Sequence, residues 1–154
     1  MVHLKEHRLV TEHLADAEKI CAANGTQLTA LRRSVLTLIL EADSPPTAYK
    51  LLDQLKDIRK SAVPPTIYRA LDFLLENRLI HKVERLNAFI PCTGADHEHA
   101  AVQFLICGKC STVTEIDDDD IARALRTAAQ NAGFHPGRAL VELEGVCAAC
   151  ARLP

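Results

Sequence analysis

The sequence predicts an α+β protein of two domains. An N-terminal winged helix-turn-helix (residues 1–92) is joined through a short hinge (93–100) to a small α/β domain (101–154) closed by a four-cysteine zinc site. Three observations predict it. Apolar residues recur at helical spacing through the first half, the period switches to alternation after Asn77, and two Cys-x-x-Cys pairs stand at Cys107/Cys110 and Cys147/Cys150. With 154 residues, 48% hydrophobic and 25% charged, the chain is long and apolar enough to bury a core.

Leu9, Val10, His13, Leu14, Ala17, Ile20 and Cys21 draw one stripe along a first helix over 5–23, which Asn24-Gly25 stops. Thr29 caps a second helix over 30–42, closed by Ser44-Pro45-Pro46, and Thr47 opens a third that carries Leu51, Leu52 and Leu55. Pro64-Pro65 starts a fourth. Its Ile67, Ala70, Leu71, Leu74 and Leu75 fall on one arc of the helical wheel, with Thr66, Arg69, Asp72 and Glu76 opposite, so one face is core and one is free. The alternating stretches 79–85 and 88–92, separated by Leu86-Asn87, predict a β-hairpin. Short helices followed by a hairpin make the winged helix-turn-helix plan, which presents its last helix to a DNA major groove.

The polar, turn-rich stretch 93–100 marks the domain linkage. Beyond it, 102–107 and 112–116 read as strands, 117–132 as an amphipathic helix and 138–143 as a third strand leading into Cys147. Three strands and one helix bury too little surface to stand alone, so a zinc staple, a dimer interface or both are expected. The acidic run Asp117 to Asp120 is read as a helix cap that opposes the dipole rather than as a cation site.

A net charge of -2 excludes a general polycation that coats nucleic acid or membranes indiscriminately. The charge is uneven: residues 1–86 carry 13 basic and 11 acidic side chains, the remainder 5 and 9, which makes the front half the better anion binder. The longest apolar or hydroxyl run, Val35 to Leu40, is too short for a bilayer, and the first residues mix charges where a secretory segment would be apolar. A cytoplasmic protein with no membrane partner is expected. In that reducing compartment six cysteines point to metal ligation before disulfides.

Two residues between the cysteines of each pair let both sulfurs reach one ion at about 2.3 Å, and two such knuckles make a closed tetrahedral site with no open position for substrate. A redox dithiol is the alternative. A second constellation is His81, Cys92, His97, His99 and Glu115. With a two-residue hairpin loop at Leu86-Asn87, Arg85 pairs with Ala88 and His81 falls opposite Cys92 on one face, close enough to share a metal. Plain lining of the wing by His81 and burial of Cys92 as a small hydrophobe are the alternatives. His97-Glu98 lacks the histidine at 101 of a His-Glu-x-x-His protease, and Pro91-Cys92 lacks the second cysteine of a zinc deaminase. On the fourth helix, Arg69 lies mid-face beside Thr66, with Tyr68 on the edge. An arginine can donate two bonds to guanine and a tyrosine can meet a phosphate or a thymine methyl. Tyr49 opens the third helix, and Arg32, Arg33, Lys50, Lys56, Arg59 and Lys60 can reach phosphates.

Several segments carry a family likeness: Glu18-Lys-Ile-Cys21, Leu28-Thr-Ala-Leu-Arg32, Ala48-Tyr-Lys-Leu-Leu-Asp53, Pro64-Pro-Thr-Ile-Tyr-Arg-Ala-Leu-Asp-Phe-Leu-Leu-Glu76, His81-Lys-Val-Glu84, Phe104-Leu-Ile-Cys-Gly-Lys-Cys110 and Gly145-Val-Cys-Ala-Ala-Cys150. Over nearly the whole chain they resemble the ferric uptake regulator (Fur) superfamily, specifically its zinc-uptake-regulator branch. The resemblance implies an N-terminal DNA-binding domain, a C-terminal dimerisation domain, and zinc-dependent repression of zinc-uptake genes by a homodimer on double-stranded operator DNA, with no enzymatic activity. It implies two zinc ions per protomer. Cys107, Cys110, Cys147 and Cys150 take the structural ion. His81, Cys92, Glu115 and one linker histidine take the regulatory ion, His99 being the choice and His97 the reserve. The iron branch's histidine-rich pattern before the first knuckle is absent, and a thiolate ligand favours zinc over iron(II). The rival readings are an iron or peroxide sensor of the same family and, less favoured, a zinc-dependent hydrolase using Glu115 as base.

Overall fold

Thr29 and Thr47 each stand in extended backbone just before an apolar run, and each hydroxyl accepts an amide hydrogen bond, from Arg32 N at 3.5 Å and from Lys50 N at 3.2 Å. Such caps satisfy amides that have no partner inside the helix. They start α2 (Ala30–Leu40) and α3 (Ala48–Ile58), which follow α1 (Val2–Ala23). The helix α4 (Pro64–Glu76) opens on two prolines, which give up no helical bond there, and Thr66 Oγ1 accepts from Val63 N at 3.2 Å. A computed structural model of the chain describes residues 2–92 and 101–152, with side chains described from Leu9 onward. The chain divides into two compact units, Met1–Cys92 and Thr93–Pro154.

In the first unit the apolar arcs converge. Val35, Leu36 and Ile39 of α2, Leu51 and Leu55 of α3, and Ile67, Leu71 and Leu74 of α4 are buried together with Ala17 and Cys21 of α1. Each fully buried aliphatic side chain contributes about 1.5–3 kcal/mol. The wing is an antiparallel pair, β1 (Ile80–Val83) and β2 (Ala88–Pro91), whose Ile80 and Phe89 close the same core. Thr47 bridges Ala88, and Phe89 N donates to Pro46 O at 3.0 Å, so the residues leading into α3 also hold the wing.

In the second unit β3 (Ala101–Cys107) is the central strand, with β4 (Val113–Ile116) antiparallel on one side and β5 (Ala139–Gly145) parallel on the other. Between β4 and β5 runs α5 (Asp119–Asn131), and a short α6 (Ala148–Ala151) follows β5. The acidic run caps α5 as expected: Asp118 Oδ1 accepts from Asp120 N at 2.9 Å and Ile121 N at 3.1 Å, so the helix begins two residues later than the sequence pattern predicts. Among the described residues of this unit, buried apolar side chains are few, chiefly Val102, Phe104 and Ile106. Among the described residues no helix is long and apolar enough to cross a membrane.

Candidate metal centres and nucleic-acid interface

Because β3 and β5 are parallel neighbours, both end at the same edge of the sheet, and each is followed by one cysteine knuckle. Cys107 pairs in register with Gly145, and Gly108 N donates to Gly145 O at 2.9 Å. The first knuckle turns through Ser111 in the left-handed region (φ +59°) and is held by Ser111 N to Cys107 O at 2.9 Å. The second caps α6, Cys147 Sγ accepting from Cys150 N at 3.5 Å. All four Sγ atoms lie within 4.8 Å of one another, with Cys110 and Cys147 at 3.8 Å. A tetrahedral ion with Zn–S bonds of about 2.3 Å requires sulfur–sulfur edges of about 3.8 Å. A disulfide requires about 2.05 Å. Donor type and spacing therefore fit one closed zinc site and no disulfide.

The thiols differ in acidity. Backbone amides of Cys147 and Cys110 aimed at Cys107 lower its pKa to about 6, and the Thr112 hydroxyl lowers that of Cys110. Hydrogen bonding with the Cys110 and Cys147 sulfurs, followed by burial, pushes Cys150 up to about 12. Neighbouring thiolates resist ionising together, and a bound metal removes that penalty.

His81 and Cys92 meet on the wing, though in a different register from the one expected. Val83, not Arg85, pairs with Ala88, so His81 lies opposite Ile90 and Leu79 O receives the Cys92 amide at 3.0 Å. The reason is the loop. Glu84–Leu86 form a turn of 3-10 helix and Asn87 takes the left-handed region (φ +46°), making a four-residue connection in place of two. The slip is an even number of residues, which keeps both side chains on one face as diagonal neighbours. Both are buried, and their ligating atoms lie within 4.8 Å of each other. Glu115 sits half-buried on β4 of the second unit, paired in register with Phe104. His97 and His99 lie outside the described residues.

The polar face of α4 is open. Tyr68 is 56% exposed, Arg69 is exposed beside it, and Tyr49 at the start of α3 is 82% exposed. Lys50, Lys56, Arg59 and Lys60 are exposed on and after α3. Thr66 is half-buried and its hydroxyl oxygen serves the helix start. Arg32 and Arg33, expected among the phosphate contacts, are engaged inside the unit. Arg33 forms an ion pair with Glu18, while Arg32 Nη1 donates to Gln27 O at 2.7 Å and its guanidinium lies 3.6 Å from the Phe73 ring centroid. Asn77, for which the sequence offers no signal, is buried and bonded to Asn24 and Thr26, remote in the chain.

Two knuckles behind a winged helix-turn-helix define a class. Residues 23–144 match the ferric uptake regulator family, and the chain belongs to that family. Within it the similarity is to zinc regulators. The chain is 39% identical over 145 residues to the zinc uptake regulation protein of Escherichia coli (strain K12), a match covering 94% of this chain and 85% of that one. Among solved structures, it resembles a zinc uptake regulator complexed with zinc and DNA at 40% identity and a TM-score of 0.87, over 92% of this chain and 95% of that one. It also resembles holo XcZur at 40% identity and a TM-score of 0.82, over 91% and 97%.

Proposed function

We propose that the protein is a zinc-responsive transcriptional repressor that binds double-stranded operator DNA as a zinc-loaded dimer and represses zinc-uptake genes. The observation that carries this reading is that one unit bears both an exposed reading face, Tyr49, Tyr68 and Arg69, and a buried imidazole–thiol pair, His81 and Cys92. Arg69 reads a base edge and Tyr68 supplies a thymine or phosphate contact, while Lys56 and Arg59 position the backbone. Similarity across most of the chain to a regulator named for zinc uptake supports the signal and the regulated process.

Two zinc sites per protomer fit this role. Cys107, Cys110, Cys147 and Cys150 would hold a structural ion, which when bound cross-links the ends of β3 and β5. The second would be exchangeable, on His81, Cys92, Glu115 and His99, with His97 in reserve. Ligands drawn from both units would make the DNA-competent arrangement depend on zinc, to the extent that the two arrangements differ in affinity for it. Dimerisation has a candidate surface in β5, the outer strand of its sheet, where Leu140 and Leu143 are exposed, continued by Val146. A strand at a sheet edge that carries exposed apolar side chains is a ready pairing site.

A metal titration followed by DNA mobility shift tests the reading. Operator binding should appear with free zinc and vanish on mild chelation, while one zinc per protomer stays bound to a folded dimer. Operator binding indifferent to zinc, or a chelated dimer that is folded and holds no zinc, would overturn it.

A further inference from the structure

The C-terminal end of α4 is fastened by directional polar contacts to the turn between α1 and α2. Asn77, only 5% exposed, accepts from Asn24 Nδ2 at 3.1 Å and from Thr26 Oγ1 at 2.9 Å, and donates its own amide to Phe73 O at 2.9 Å. One helical turn back, the Phe73 ring is covered by the Arg32 guanidinium at 3.6 Å, whose Nη1 is in turn anchored on Gln27 O at 2.7 Å. Arg69 precedes Phe73 by one further turn.

We propose that Arg32 and Asn77 are positioning residues for base reading: by locking the end of α4 to the 24–27 turn they aim Arg69. The inference rests on the reading of α4 as the DNA-reading helix. The apolar arc of Ile67, Leu71 and Leu74 decides which side of α4 faces the core, but apolar contact is non-directional and tolerates small rotations and slides. Hydrogen bonds and a stacked guanidinium do not, since they weaken steeply with angle and displacement. A base-reading side chain must be held to about 0.5 Å. The clamp supplies what the core leaves free, and it accounts for an arginine engaged inside a surface otherwise suited to phosphates.

The test uses the zinc-loaded full chain and a duplex that the wild-type protein selects from a randomised pool, with every single base-pair substitution of it. Arg69→Ala first identifies the base pair that Arg69 reads. Arg32→Met and Asn77→Asp should then lower discrimination at that same pair about threefold or more, with the salt slope of binding unchanged and no further loss in an Arg69→Ala background. Arg32→Lys keeps the charge without the planar fork and should act in the same direction; with Asn77→Asp it carries the test if Arg32→Met does not fold. Ile39→Val, a core truncation outside the clamp, should leave discrimination intact at matched stability. Uniform weakening on all duplexes with a salt slope lower by about one would make Arg32 a phosphate contact and overturn the proposal. So would folded clamp variants that discriminate like Ile39→Val. Failure of the underlying reading looks different: Arg69→Ala itself would leave discrimination untouched.

Discussion

The two units are held by different means. In the first, helices bury Val35, Leu51, Leu55, Ile67, Leu71 and Leu74 against one another almost completely, and the wing closes over them. In the second, the buried apolar set is short, Val102, Phe104 and Ile106 with small alanines, while Phe134, Leu140, Leu143 and Val146 stay exposed. The first has one contiguous apolar core. The second depends on a three-stranded ladder, on whatever covers its apolar surface, and on four sulfurs gathered at the ends of two parallel strands. The metal ligands follow the same division. A complete tetrahedral donor set lies within the second unit, where a bound ion would be part of the fold; among the described residues the first offers a His–Cys pair, beside a core that does not need it.

The sharpest way to break that contrast is Cys107→Ser. Structural zinc in small domains is worth about 10–16 kcal/mol of apparent binding energy, so this variant should lose retained zinc, dimer and the unfolding transition of the second unit together, with the helical unit still folded. Metal analysis, sedimentation and calorimetry read the three losses. Next in size, Leu71→Ala in the helical core should cost about 2–5 kcal/mol by denaturant melting, and the same preparation should keep its chelator-resistant zinc. A coupled loss of that zinc would mean that the units do not stand apart. Smaller again, Arg69→Ala should cost about 1–3 kcal/mol at the operator and relax preference at one base pair, with no change in melting or metal content. Unchanged affinity and selectivity would remove α4 from the reading surface.

Local chemistry was legible and remote pairing was not. Thr29, Thr47, Pro64 and Asp118 announce their helices because a cap involves residues within one turn of it. The cysteine spacing likewise points to a shared ion without reference to the fold. The parallel pairing of β3 with β5, which brings the two knuckles together, joins strands separated by β4 and α5 and leaves no short-range mark. The wing register turns on one residue, Asn87, adopting the left-handed region; because the slip is even, His81 and Cys92 still share a face. Asn77 and its partner Asn24 are 53 positions apart, and nothing near Arg32 in sequence announces its contact with the Phe73 ring.

The account turns on zinc acting through the wing, and replacing Cys92 addresses that directly. Cys92→Ser removes the soft donor beside His81 and leaves all four knuckle sulfurs in place. Operator affinity should be measured across a zinc titration for wild type and variant, with dimer and chelator-resistant zinc checked in parallel. Cys92→Ser should remain a folded dimer that retains its structural zinc and no longer gains operator affinity when zinc is added. A zinc-dependent gain as large in Cys92→Ser as in wild type would contradict it.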